Sequence, residues 1–170
     1  MLDEPIHLTP YDPAWADQGR ALAALFRADL PVPAEVEHIG STAVPGLDAK
    51  PVLDVQIGCA GVDTAAVVEV VCRHGFEHLG ESGVPGRQYL RRRSGVSANV
   101  HVVELGGALW TDNLLLRAYL RARPEAVARY ARAKREAARA DARLLAYSAH
   151  KASTVAELVA EARAFGGRPA

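Results

Sequence analysis

The chain has 170 residues, 49% apolar, 24% charged and 6% aromatic, and its 20 basic residues balance its 20 acidic ones. That composition excludes disordered and collagenous chains, and the zero net charge argues against a general nucleic-acid coat or a membrane-surface protein. No apolar run reaches the roughly 18 residues of a membrane-spanning helix, the acidic start Met1-Leu2-Asp3-Glu4 lacks a signal peptide's cationic region, and only Cys59 and Cys72 are cysteines, so a cytoplasmic single domain over 1–170 is expected.

In chain order, the helical recurrence of Trp15, Leu22, Leu25, Phe26 and Leu30 predicts a first helix over about 14–30, stopped by Pro31 and Pro33. Residues 35–39 alternate like a strand and enter a turn at Gly40-Ser41-Thr42. Residues 44–51, with Pro45, Gly46 and Pro51, read as a loop, because proline has no amide to give a central strand. Residues 52–57 form a short apolar strand broken at alternate positions by Asp54 and Gln56. Asp63 or Thr64 can cap a helix over about 64–75 that turns Val67, Val68, Val71 and Cys72 inward and ends at Gly75. Strands follow near 76–79, 87–93 and 98–105. The last third is helical: about 111–122, then from Pro124 to about 146, then about 151–165 before Gly166-Gly167. The class is α/β (α+β) with a helical C-terminal segment.

Charge is unevenly placed. Residues 115–151 hold ten bases against Glu125, Glu136 and Asp141, and only Lys50, Lys134 and Lys151 are lysines. Lys134 lies four residues after Tyr130, and Lys151 four after Tyr147, on stripes that should face inward. A lysine there needs an acid or an anionic ligand, so each reads equally as a ligand-binding group or as half of a structural ion pair. Arg132, Arg135, Arg139 and Arg143 form a separate, solvated stripe.

The segment from His38 to Gln56 carries the chemistry. A strand ending in Gly40-Ser41 brings backbone amides and a hydroxyl close to a phosphate. Twelve residues separate Ser41 from Asp54, and Gln56 shares the Asp54 face of the strand. Oxygen ligands beside a phosphate cradle suit magnesium bridging protein and nucleotide. His38 either lies near the phosphate, donates to Asp54, or is a strand-end histidine bonded to backbone. His101, with Asn99 on its face, is the better further metal ligand, and Glu104 points the other way. Arg87 and Tyr89 sit near the same sheet, and Lys50 either neutralises phosphate or pairs with Asp48. Arg117 and Arg121, one helical turn apart, can hold a triphosphate or an acidic acceptor.

The run His38-Ile39-Gly40-Ser41-Thr42, continuing through Val44-Pro45-Gly46-Leu47 to Lys50-Pro51, is preceded by Tyr11-Asp12-Pro13 and Trp15 and followed by His101 to Glu104. With Arg117, Tyr119, Arg121, Pro124, Tyr130, Lys134, Tyr147 and Lys151, it resembles the GrpB family of the nucleotidyltransferase superfamily across nearly the whole chain. The resemblance implies a nucleotidyltransferase-like mixed sheet flanked by helices, and similar domains occur fused to dephospho-coenzyme A kinases. Asn99 stands where the family commonly has histidine.

The reading is a nucleotidyltransferase-like protein that binds a nucleoside triphosphate and magnesium and transfers a nucleotidyl group to an unknown acceptor. Asp54, Gln56 and His101 are the catalytic candidates, with Asp54 and His101 as metal ligands. His38, Gly40, Ser41, Thr42, Lys50, Arg87, Arg117, Arg121, Lys134 and Lys151 are the phosphate-binding candidates. The alternative is a non-catalytic accessory module that binds a nucleotide or coenzyme precursor; a second acid converging on Asp54 separates the two. Neither nucleic acid nor membrane is an expected partner.

Overall fold

The computed structural model describes residues 4–141 and 143–166. Met1, Leu2, Asp3 and Gly167, used in the sequence reading, lie outside the described residues. Five strands, β1 (Ala34–Ile39), β2 (Leu53–Cys59), β3 (Glu77–His78), β4 (Gln88–Arg92) and β5 (Ala98–Glu104), form one mixed sheet. Their order is β1-β2-β5-β4-β3, with β2 and β5 parallel and every other pair antiparallel. The helices are α1 (Ala14–Asp29), α2 (Thr64–Arg73), α3 (Ala108–Ala122), α4 (Pro124–Ala140), α5 (Leu144–His150) and α6 (Ala152–Gly166). Among the described residues no helix is long and apolar enough to cross a membrane.

Alternation along β2 gives the sheet two unlike faces. Leu53, Val55 and Ile57, with Val100 and Val102 of β5, meet Trp15, Leu22 and Phe26 of α1 and Val67 and Val71 of α2 in one apolar core. Asp54 and Gln56 point the other way, toward the side covered by the C-terminal helices. A second apolar cluster there joins Val44 and Leu47 to Leu120, Ala126, Tyr130 and Leu158.

Several details depart from the sequence expectation. Leu25 is exposed, and Gly19 and Ala23 take its place on the buried face of α1. Neither Asp63 nor Thr64 caps α2 with its side chain; a 3-10 turn over Gly61–Asp63 leads into that helix instead. Val70 joins Val67 and Val71 on its buried face while Val68 and Cys72 pack partly buried against the same core, and Gly75 follows its end at a left-handed φ of 82°. The long helix predicted from Pro124 to 146 stops at Ala140. There Asp141 turns extended, its carboxylate accepts the Arg143 amide, and the Leu144 amide donates to the Glu4 carbonyl. The Asp141 side chain and the N-terminal segment thus both offer the backbone here partners outside a helix. A second bridge, Thr9 with Ala49, pins the same segment to the loop before β2.

Gly19 illustrates how tightly α1 sits on the sheet. A Cβ added there would fall on the imidazole of His38, which itself contacts the Thr42 hydroxyl. Helix propensity alone predicts that Gly19→Ala stabilises by up to about 1 kcal/mol. We expect the opposite sign in urea denaturation, because overpacking a filled interface costs roughly 1–3 kcal/mol; a stabilised variant would mean that the α1–β1 contact has slack.

Candidate functional site

The polar face of the sheet lines a cavity of about 340 Å³, roofed by α3, α4, α5 and α6. Its floor is Asp54. In register, Asp54 pairs with Ile39 of β1 and Asn99 of β5, and Tyr89 of β4 pairs with His101, so these side chains share one face. The Asn99 amide nitrogen donates to Asp54 Oδ1 at 2.8 Å, and His101 Nε2 lies 3.2 Å from the same oxygen. Tyr89 Oη and Arg93 donate to the Asn99 oxygen at 2.9 and 3.0 Å, which directs the amide NH2 toward Asp54. Arg93 is held in turn by Glu4. Burial opposes ionisation of Asp54, yet the His101 and Asn99 contacts and the nearby positive charge of Lys50 hold its carboxyl well below the usual range.

Gly40 enters the turn after β1 at φ 73°, a conformation natural to glycine. A Cβ there would also come within 2.7 Å of Asp54 Oδ2, so the turn closes directly over the carboxylate. Ser41 and Thr42 follow in a short 3-10 turn, and both line the cavity. The proposed cradle and Asp54 are therefore adjacent.

All three lysines line this cavity. Lys134 is 2% exposed and donates to the Asp48 carbonyl, while the Asp48 carboxylate is taken by Arg135 at 2.6 Å. Lys50 does not pair with Asp48 either; it borders the cavity in the loop before β2. The Lys134 and Lys151 ammonium groups lie 5.3 and 5.9 Å from the centre of the Tyr130 ring, and Lys151 also sits 5.3 Å from Tyr147. Burial, aided by Lys151, brings the Lys134 ammonium down to about 7, and burial lowers Lys50 as well. Arg87 reaches the cavity from the loop before β4, lies over Tyr89 at 4.9 Å, and has a buried Nε without a partner.

Other candidates stand elsewhere. His38 pairs with Val55, so it faces α1 rather than Asp54; its Nε2 is 2.9 Å from Thr42 Oγ1, and burial pulls its imidazole down to about 4. Gln56 is fully buried under α3, where its oxygen accepts from Asn113 at 2.9 Å and its nitrogen donates to the Trp110 carbonyl. Arg121 lies outside the Asp54 cavity and grips the Ala43 carbonyl with two nitrogens, at 2.9 and 2.7 Å. Arg117 touches the cavity but spends one nitrogen on Glu37 and the His38 carbonyl. Both arginines brace the turn after β1. They also line a second hollow, about 290 Å³, beyond that turn.

Sequence reasoning missed Asn99 as the donor that orients Asp54, and it missed Asn113 on the cavity wall. The signal for Asn113 was its spacing: Leu109, Asn113, Leu116, Arg117 and Leu120 form one stripe of α3, and all line the cavity.

The donor set does not fit a magnesium centre. Asp54 is the one carboxylate on the cavity wall among the described residues, and no group of three or more histidine, cysteine or acidic side chains assembles there. The Gln56 oxygen is committed to Asn113, and His101 presents Nε2 to Asp54 itself. Glu104 is exposed at the end of β5. Three ammonium groups line the space that a dication would share.

The fold is that of the nucleotidyltransferases. A crystal structure of the Cid1 poly(U) polymerase with Mg 3′-dATP bound superposes with a TM-score of 0.53 at 15% identity, over 78% of this chain and 43% of that one. More narrowly, the chain belongs to the GrpB family, whose model, described as GrpB protein, matches residues 5–161. The crystal structure of the conserved protein GrpB from Enterococcus faecalis is 30% identical, with a TM-score of 0.80 over 92% of this chain and 96% of that one. A UPF0157 protein of Pseudomonas aeruginosa is 35% identical over 81% of this chain, which spans 59% of that protein's length.

Lys134→Met tests the electrostatics of the cavity. A lysine whose folded value lies near 7 rather than 10.5 is a stability cost, complete below pH 7 and fading as pH rises toward 10.5. The Met variant should therefore be more stable than the parent in denaturant titrations at pH 6, with most of that gain gone near pH 10. A gain independent of pH would show that Lys134 is not desolvated.

Proposed function

We propose that the chain binds a nucleotide, or another ligand carrying a phosphoester, in the Asp54 cavity, as a binding module rather than a metal-dependent catalyst. The observation that carries this reading is the charge on the cavity wall, where one carboxylate faces three lysines, Arg87 and Arg117. Such a surface favours an anion. The volume lies within the range of small-molecule pockets, and its apolar side, Leu109, Leu116, Leu120 and Val155, suits the uncharged part of the ligand. Ser41 and the Gly40 turn stand beside Asp54, where a phosphate would meet a hydroxyl and a backbone free of side chain. Asp54, held ionised, accepts hydrogen bonds from a ligand hydroxyl or amine.

A second reading is nucleotidyl transfer to an acceptor with magnesium on Asp54, and the fold shared with Cid1 favours it. It requires Asp54 to serve as the sole acidic ligand on this wall. Thermal unfolding with ATP, AMP and a phosphorylated coenzyme A precursor, in EDTA and in magnesium, separates the two, because a ligand of the native state raises the midpoint. We expect a rise in EDTA with at least one of these ligands, retained in Asp54→Asn, since losing that charge does not weaken an anion's hold. A rise confined to magnesium and lost in Asp54→Asn would establish the second reading, and no rise under any condition would remove both.

A further inference from the structure

Seventeen of the twenty basic residues are arginine, and arginine or histidine makes every ion pair described above. The three exceptions converge. Lys50 arrives from the loop before β2, Lys134 from α4 and Lys151 from the end of α5, far apart in sequence yet lining one cavity. None of them makes an ion pair among the described residues. Lys134 meets a backbone carbonyl and the Tyr130 ring, and Lys151 meets the rings of Tyr130 and Tyr147.

Three ammonium groups share this wall with a single ionised carboxylate, Asp54, and the aromatic faces offset only part of the excess positive charge. The remaining counter-charge is one that a ligand can bring. An ammonium also differs from a guanidinium in a way that matters here. It is a compact point charge whose three donors rotate freely, so several can converge on one phosphate, whereas the planar guanidinium fork demands a fixed approach.

We propose that Lys50, Lys134 and Lys151 form a polyphosphate subsite that works without metal, the three ammonium groups supplying the positive charge that a divalent ion supplies in metal-dependent sites. This rests on the phosphoester reading above and adds to it the source of the neutralising charge. Three ammonium groups match the charge of a di- or triphosphate better than that of a neutral or singly charged ligand. Arg87, whose buried Nε lacks a partner, stands on the same wall as a further donor. The depressed ammonium of Lys134 is consistent with a site that awaits an anion.

The test uses the chain with sodium tripolyphosphate, which has no base or sugar to contribute, and with ATP, titrated calorimetrically in EDTA and in magnesium. Tripolyphosphate should bind in EDTA, and Lys134→Met and Lys151→Met should each weaken it about tenfold or more, as expected for losing a charge-assisted contact. Lys151 is only partly buried, so its variant keeps the test valid if the Lys134 variant fails to fold. Arg139→Gln, an exposed cation of α4, should leave affinity unchanged. An equal loss in Arg139→Gln would reduce the effect to surface charge and overturn the subsite, as would full affinity in both lysine variants. Binding of ATP only with magnesium would overturn the subsite while leaving a nucleotide ligand standing. Failure of both probes in both buffers would remove the phosphoester reading itself.

Discussion

The strand β2 is bonded on both sides, antiparallel to β1 and parallel to β5, and its strict alternation is the constraint on which the molecule depends. One set of its side chains closes the apolar core under α1 and α2; the other set includes a carboxylate with only about a quarter of its side chain exposed, on the wall of the cavity. Asn99 and His101 lie on the neighbouring strand at the right register to do so. The Asn99 amide has a defined orientation only because Tyr89 and Arg93 claim its oxygen, and Arg93 is held by Glu4. A charge in the middle of the sheet is thereby tied to the N-terminal segment, whose Glu4 carbonyl also accepts the Leu144 amide just beyond the end of α4. A half-buried anion is tolerable when its hydrogen bonds are fixed in advance, and this network fixes them.

Cationic side chains divide their work by chemistry. Arginine holds backbone and carboxylates, as Arg117 and Arg121 hold the carbonyls of His38 and Ala43 and Arg93 holds Glu4. That suits a planar group able to make two directed bonds at once. The lysines instead border the cavity, Lys134 while also holding the Asp48 carbonyl. The turn after β1 is consequently held from behind, where Arg117 and Arg121 of α3 bond the His38 and Ala43 carbonyls, and open in front, where Ser41 and Lys50 meet the cavity. Thr42 belongs to both sides, holding His38 while bordering the cavity.

Much of this was legible in the residues. Period and breakers located every strand and most helices, and the Gly40-Ser41 turn was placed correctly beside Asp54 because a strand, a turn and a returning strand leave few alternatives. The inward stripes of Tyr130 with Lys134 and Tyr147 with Lys151 were visible from spacing of four. Alternation alone, however, says that two faces exist and not which residues of adjacent strands share one. That depends on register, and register puts Ile39, not His38, opposite Asp54. The fate of Gln56 was hidden for a related reason: its face was predictable, but the helix that covers it, and Asn113 on that helix, come from nearly sixty residues away. Arg121 matched a motif whose chemistry suits phosphate equally well as a carbonyl, and only the fold shows that it meets the Ala43 carbonyl outside the Asp54 cavity. The break at Asp141 combines a local signal, its carboxylate taking the Arg143 amide, with a distant one, the Glu4 carbonyl taking the Leu144 amide, and only the second lies beyond local propensity.

The confinement of lysine to one hollow has a practical side. In most proteins amine-directed reagents scatter over the surface, since lysine is a common solvated residue. Here the side-chain amines all belong to a single compartment, and they differ in burial, Lys134 being enclosed and Lys50 and Lys151 only partly so. Acylating or reductively alkylating probes therefore report on the interior of that compartment without any engineered handle, and occupancy by a small molecule becomes readable as protection of three peptides in a mass spectrum.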